Sequence, residues 1–280
     1  MSTATAIATT TAPAPAAPVI KGRTPPSWVV SDALRMTKRN LLRYLRLPNL
    51  LVFSTIQPVM FVLLFSYVFG GAIKGALPPG VKYIDFLMAG IFVQTVIFGS
   101  VQTGVGLSDD LAKGMIDRFR SLPMARSAVL AGRTLSDTVR NVFVVLLITA
   151  VGSAIGFRFH GGFLPGLAGL GLAVLFGLAF SWISALIGMS VRDPEAAQAA
   201  GFIWIFPLVF ASSSFVPIVS MPKWLQAFAR NNPISHTVNA IRALTQGGPT
   251  WHPLWISLAW IIGILLVFVP LSVRRYRNTV

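Results

Sequence analysis

Few side chains in this sequence could carry acid–base, nucleophilic or metal chemistry. Its 280 residues hold 8 carboxylates, 3 histidines and no cysteine, which excludes a thiol nucleophile, a Cys-ligated zinc site and a disulfide framework. His160, His236 and His252 show neither metal-ligand spacing nor a Ser-His-Asp arrangement. No G-x-x-x-x-G-K-[ST] run occurs, so the chain has no phosphate-cradling loop of its own. No catalytic residue, metal site or resident cofactor is therefore expected. What remains is polar but uncharged. Gln57, Gln94, Thr95 and the run Ser212, Ser213, Ser214 sit in apolar surroundings, where they either line a route for a solute or bond to neighbouring helices. Phe53, Phe61, Phe98, Trp204 and Phe210 either add an apolar wall to such a route or face lipid.

The elements that must position these residues follow from composition. Hydrophobic residues make up 54% of the chain and charged ones 11%, against about a quarter charged in a soluble globule. Mean hydropathy is +0.72. A helix needs about 20 apolar residues to cross a bilayer core, and six charge-free stretches of about that size occur. They are Leu50–Phe69, Asp85–Asp109, Arg140–Arg158, Gly161–Val191, Ala196–Pro222 and Leu254–Val273. Lipid offers no partner to backbone N–H and C=O groups, so each must be a helix. The expected fold is an all-α integral membrane protein whose six transmembrane helices occupy residues 50–277.

Orientation follows from the cations. With the N-terminus in the cytoplasm, 17 of the 23 lysines and arginines fall on that side, so both termini are expected there. The net charge of +15 is thus a topology signal and does not call for a nucleic-acid partner. Residues 1–26, rich in Ala, Thr and Pro, read as a disordered tail, and Pro13, Pro15 and Pro18 argue against a secretory signal. Residues 27–47 read as an amphipathic interfacial helix. Val30, Leu34, Leu41 and Leu45 would lie in the acyl boundary, and Arg35, Lys38, Arg39, Arg43 and Arg46 among lipid headgroups.

The connection Leu107–Asp137 is the longest on the cytoplasmic side. Ser108, Asp109 and Asp110 suit the start of a short helix, and Pro123 limits it. Met115, Ile116 and Phe119 form an apolar face beside Asp117, Arg118 and Arg120, which makes this either a docking element or a solvated loop.

The run from Gly114 through Pro123 to Arg126, then Gly132-Arg133 and Asp137, resembles the cytoplasmic loop of ABC-2 type transporter permeases of the daunorubicin-resistance group. Ile155-Gly-Phe-Arg-Phe-His160 resembles the family as well, and so do Met221-Pro222-Lys-Trp224, Asn232-Pro233-Ile-Ser, Arg242 and Gly247-Gly248. Asp109-Asp110 departs from the Glu or Arg-Glu that many relatives carry ahead of the loop glycine. The resemblance implies a permease subunit in the bacterial cytoplasmic membrane that exports a hydrophobic or amphipathic drug or lipid. It would pair with a second permease copy, identical or a close paralogue, and with an ATP-binding subunit that holds ATP and Mg. Gly114, Met115, Ile116, Asp117, Arg118, Phe119, Arg120, Ser121, Leu122 and Pro123 would form the coupling segment against that ATPase.

The same resemblance makes residues 215–248 a pair of short re-entrant helices near the outer leaflet. The residues agree in part: Pro217, Pro222 and Pro233 break any continuous span, while Trp224, Leu225 and Phe228, then Ile234, Val238 and Ile241, give two short apolar faces, and a plain extracellular amphipathic loop is the alternative. Lys223, Arg230 and Arg242 are expected at the headgroup level or the aqueous rim. No carboxylate is expected inside a span, which disfavours an ion-coupled secondary transporter. A permease for lipid-linked polysaccharide is the alternative within the family.

Overall fold

The structure, a computed structural model, describes residues 26–46, 48–73, 75, 77, 80–115, 126–191 and 193–278. The tail before Pro26 lies outside them. Among the described residues the fold is all-helical, without strands. The principal helices are α1 Pro26–Arg46, α2 Pro48–Leu64, α3 Tyr83–Ala112, α4 Arg126–Ile155, α5 Phe163–Ser190, α6 Pro194–Phe210, α7 Lys223–Asn231, α8 Pro233–Gln246 and α9 Trp251–Asn278. A wide π-helical turn, Phe65–Phe69, and a short turn, Gly70–Ile73, prolong α2.

Four helices, α3, α4, α5 and α9, are long and apolar enough to cross a membrane, and Ser54–Phe69 and Pro194–Phe210 are shorter apolar helices. The charge-gap reading misplaces several ends. Ser108, Asp109 and Asp110 do not start a short helix: they lie in the last turns of α3. Arg126 to Asp137 already belongs to α4. The fifth apolar stretch does not run on to Pro222, because α6 stops at Phe210 and the chain turns through 211–215. Charged side chains are tolerated inside helices wherever they pair with one another, so charge alone does not mark a helix end.

Helix α3 is the hub. In its most apolar stretch 83% of residues are buried, against 22% in α9 at the periphery. Leu87, Met88, Ile91, Phe92, Val93, Val96 and Ile97 are fully buried, as a helix apolar on all sides must be. Its closest neighbour is α5. A side chain at Gly104 or Gly188 would collide with the backbone of the opposite helix, and Ser100 Oγ lies 3.2 Å from Ser184 Oγ across the same crossing. Small residues permit this approach, and between lipid-embedded helices such packing replaces the hydrophobic drive available in water.

The amphipathic helix α1 packs along the N-terminal part of α4, at Gly132. Asp32, Ala33, Met36, Thr37 and Asn40 form its buried face, with Met36 and Ala33 against Gly132. Leu34, Arg35, Lys38 and Arg39 point away from the bundle. Asp193 caps α6 by accepting from Ala196 N at 2.9 Å, and Asn232 caps α8 by accepting from Ile234 N at 2.9 Å. In both helices a proline follows the cap as the first helical residue.

Candidate functional site

A cavity of about 480 Å³ opens between α1, α2, α3, α4 and α6. Gln57, Gln94 and Thr95 all line it. Phe61, Phe98 and Phe202 supply aromatic walls, with Phe98 edge-on to Phe202 at 5.6 Å. Gln94 Oε1 and Asn141 Nδ2 are buried and have no hydrogen-bond partner among the described residues. Buried polar atoms are nearly always satisfied, so an acceptor and a donor left open beside a cavity are groups that a ligand or water can complete. The chamber therefore combines flat apolar surface with a few polar anchors, the usual composition of a small-molecule site.

One end of the cavity is charged. Arg133 and Arg140 on α4 and Asp109 on α3 reach it. Arg140 donates to Gly99 O at 2.7 Å and to Asn141 Oδ1 at 3.3 Å. Arg133 lies between two carboxylates, with Nε 3.6 Å from Asp137 and Nη1 3.9 Å from Asp110, and donates to Gln102 O at 3.4 Å. Asp137 is fully buried and accepts from Thr103 Oγ1 at 2.6 Å. The expectation that no span holds a carboxylate is thus corrected: Asp137 sits inside α4, tolerated because a hydroxyl and a guanidinium face it. The spacing of Arg133, Asp137 and Arg140 at i, i+4 and i+7 already puts them on one helical face, a signal hidden by treating this stretch as loop.

Ser212, Ser213 and Ser214 are brought together elsewhere. They form the turn after α6, fully or nearly buried, where Ser212 Oγ lies 2.7 Å from Ser214 Oγ and Ser213 N donates to Ser235 Oγ at 3.0 Å. Arg242 fastens this turn. It does not stay at an aqueous rim: its Nη2 donates to Ser213 O at 2.5 Å and Ser214 O at 3.2 Å, Nε to Phe86 O at 3.0 Å, and Nη1 to Asn239 Oδ1 at 3.2 Å. The guanidinium also stacks over the Phe86 ring at 3.5 Å. The turn carbonyls lack helical partners, and a planar fork of donors on α8 satisfies several of them at once. Gly90 on α3 leaves room for the backbone of Ser214, which any side chain there would strike.

The two short outer helices differ. In α8, Ile234, Val238 and Ile241 are fully buried against α5, α9 and α3. In α7, Trp224 is 75% exposed and Phe228 45%, with Leu225 half-buried. The two apolar sets thus divide into a packed face on α8 and an outward face on α7, so Trp224 does not bury against the spans within this chain.

Of the coupling segment, Gly114 and Met115 are described, while Ile116, Asp117, Arg118, Phe119, Arg120, Ser121, Leu122 and Pro123 lie outside the described residues. Gly114 stops α3: its φ of +63° is left-handed, and its N–H donates to Leu111 O at 3.1 Å. His160 Nδ1 meets Gln246 Oε1 at 2.8 Å and lies 3.9 Å from Asp85, tying the end of α8 to the α4–α5 connection.

Residues 32–245 match the family described as ABC-2 type transporter. The chain belongs to this family. It is a multi-pass permease of the cell membrane that works with an ABC-type ATP-binding subunit, on which the ATPase lies. The permease is 36% identical over 249 residues to the daunorubicin resistance ABC transporter permease protein DrrB1 of Streptomyces coeruleorubidus, covering 89% of this chain and 87% of that one. It is 27% identical over 250 residues to the probable doxorubicin resistance ABC transporter permease protein DrrC of Mycobacterium tuberculosis, covering 89% of each. A putative transport permease, ycf38, of Porphyra purpurea is 25% identical over 269 residues, again covering 89% of each.

Proposed function

We propose that this permease exports a hydrophobic or amphipathic drug or lipid from the bacterial cytoplasm or inner leaflet, and that the cavity beside α3 receives it. The observation that carries this reading is the cavity's lining: three aromatic walls, the amides Gln57, Gln94 and Asn141, and Thr95, in a chamber of drug-sized volume. The relatives named for daunorubicin and doxorubicin resistance support the same substrate class.

In this reading the two shorter apolar helices join the four long ones to make six spans, and both termini are cytoplasmic. Helix α6, at 17 residues, is about 25 Å long, short of the hydrocarbon thickness. Residues 211–246 then complete that side as the outer closure. The permease acts as a dimer, identical or with a close paralogue. Residues 114–123 dock on the ATPase, which holds ATP and Mg, and Met115, Ile116 and Phe119 supply the apolar contact.

The test is efflux of doxorubicin from vesicles holding the permease and its ATP-binding subunit. Export should stop when the ATP site of that subunit is disabled and survive collapse of the proton gradient. Gradient-driven export by the permease alone would sink the proposal. Single cysteines at 115–120 should crosslink to the ATPase, and their failure to do so in a working complex would remove the docking assignment.

A further inference from the structure

Six phenylalanines stand in two stripes that both begin at the cavity. Phe61, Phe65 and Phe69 follow one another at every fourth residue, in α2 and the π-helical turn that prolongs it, and Phe202, Phe206 and Phe210 do the same in α6. That spacing puts each trio on one face of its helix, and both helices pack against α3. Phe61 and Phe202 line the cavity, together with Phe98 of α3. On α6 the rings continue from there: Phe206 lies 5.3 Å from Phe98 and 5.4 Å from Phe202, and Phe210 is stacked 5.7 Å beyond it. On α2, Phe65 is stacked 5.6 Å from Phe61, and Phe69 5.1 Å from Phe65. Phe215, just after the serine turn, joins the stripes, its ring 5.4 Å from Phe210 and 4.6 Å from Phe65. Phe215 is buried, whereas Phe206 is 45% exposed and Phe210 43%. The aromatic surface thus extends past the cavity, and on α6 it is open.

Mutual stacking accounts for the inner faces of these rings but not for the exposed ones. Lipid tails would be met equally well by leucine, since no hydrophobic drive separates one apolar side chain from another in a bilayer. A ring adds a flat face with a quadrupole, which favours offset or edge-on contact with another flat π-system. A row of near-equal faces also suits movement, because a solute that leaves one ring meets the next and is never held in one deep well. We propose that the cavity's substrate is a planar aromatic solute rather than an acyl-chain lipid, and that it moves between the cavity and Phe215 along the open faces of Phe206 and Phe210. Those two residues then determine specificity, and Phe215, stacked on both stripes, ends the row. This deepens the exporter reading above and rests on it.

The test uses the full permease with its ATP-binding subunit in vesicles, and doxorubicin as the planar probe. Phe206→Leu and Phe210→Leu keep apolar bulk and remove the ring, and each should lower export at low doxorubicin, per ATP hydrolysed, by about three- to tenfold. Phe206→Tyr, which keeps the ring face, should retain most of the export. Phe163, 74% exposed on α5 outside both stripes, should tolerate leucine without change. Because the chain holds no cysteine, single thiols at 206, 210 and 163 give a second reading through labelling with a membrane-permeant maleimide. Doxorubicin should slow labelling at 206 and 210 but not at 163, and a short-chain phosphatidylcholine should slow none of them. Where a leucine variant fails to fold, this protection decides. Unchanged export per ATP in the leucine variants, no protection by doxorubicin, equal protection by the phospholipid, or disulfide crosslinks between two permease copies through 206 or 210 would each overturn the proposal and leave the exporter reading standing. No doxorubicin export by the unaltered complex rejects the exporter reading, and this inference with it.

Discussion

Two half-buried arginines tie the helices of this permease by different means. Arg242, on α8, gives its donors to the carbonyls of Phe86, Ser213 and Ser214 and to the Asn239 amide. Among the described residues no carboxylate pairs with it. Arg133, on α4, faces two carboxylates at 3.6 and 3.9 Å and borders the cavity. Backbone carbonyls cannot leave the fold to find other partners, so the first arrangement is a clamp. The second arrangement is a set of side-chain ion pairs, to Asp137 on the same helix and to Asp110 on α3.

The clamp gives the largest expected effect. Arg242→Ala leaves several carbonyls unsatisfied, each costing about 1–3 kcal/mol where water cannot reach. The folded permease should largely fail to accumulate, seen as loss of the monodisperse peak in detergent chromatography. Arg242→Lys should rescue little, because a point-charge ammonium cannot bridge Phe86 and the serine turn together. A well-folded Arg242→Ala protein would break the comparison.

Next in size is the packed outer helix. Ile241 is fully buried between α8 and its neighbours, and its truncation to alanine typically costs about 2–5 kcal/mol in a well-packed core. Ile241→Ala should therefore lower the thermal midpoint and transport together, rather than transport alone. Gly104→Ala should weaken the α3–α5 crossing by a similar mechanism of overpacking, about 1–3 kcal/mol. Its check is the same melting measurement, and an unchanged midpoint would show that the two helices can separate without loss.

The parts of this arrangement differ in how readable they are from residues. The apolar stretches locate the four long helices because spans obey a length rule, while α2 and α6 are apolar but shorter than that rule asks. The polar residues Gln57, Gln94 and Thr95 stand out because amides and hydroxyls are uncommon in apolar helices, although only the fold puts the first beside the other two. Helix ends are misread near Asp109 and Arg133 because local charge reads as water, whereas Asp109 pairs with Lys113 on its own helix and Arg133 lies between Asp137 on its own helix and Asp110 on α3. Arg242 is misplaced for a related reason. Nothing in its neighbouring residues announces that α6 stops at Phe210 and leaves carbonyls nearby to satisfy.

The smallest effect on stability is expected at Trp224, and it sharpens the contrast between the two short outer helices. Trp224 is 75% exposed on α7, whose main contacts are with α8 and the turn before it. Its removal creates no cavity, so Trp224→Ala should change stability by no more than about 0.5 kcal/mol. An indole on an amphipathic helix flanked by Lys223 and Arg230 suits the headgroup level of a membrane, where its ring is apolar and its N–H stays wet. Single cysteines at 224 and 241, labelled with a membrane-impermeant reagent, separate the alternatives. Protection at 241 with slower modification at 224 in vesicles than in detergent would support an α7 seated in the outer leaflet. Equal, rapid modification at 224 in both would make α7 an aqueous loop and remove it from the outer closure, leaving α8 and the serine turn to close that side alone.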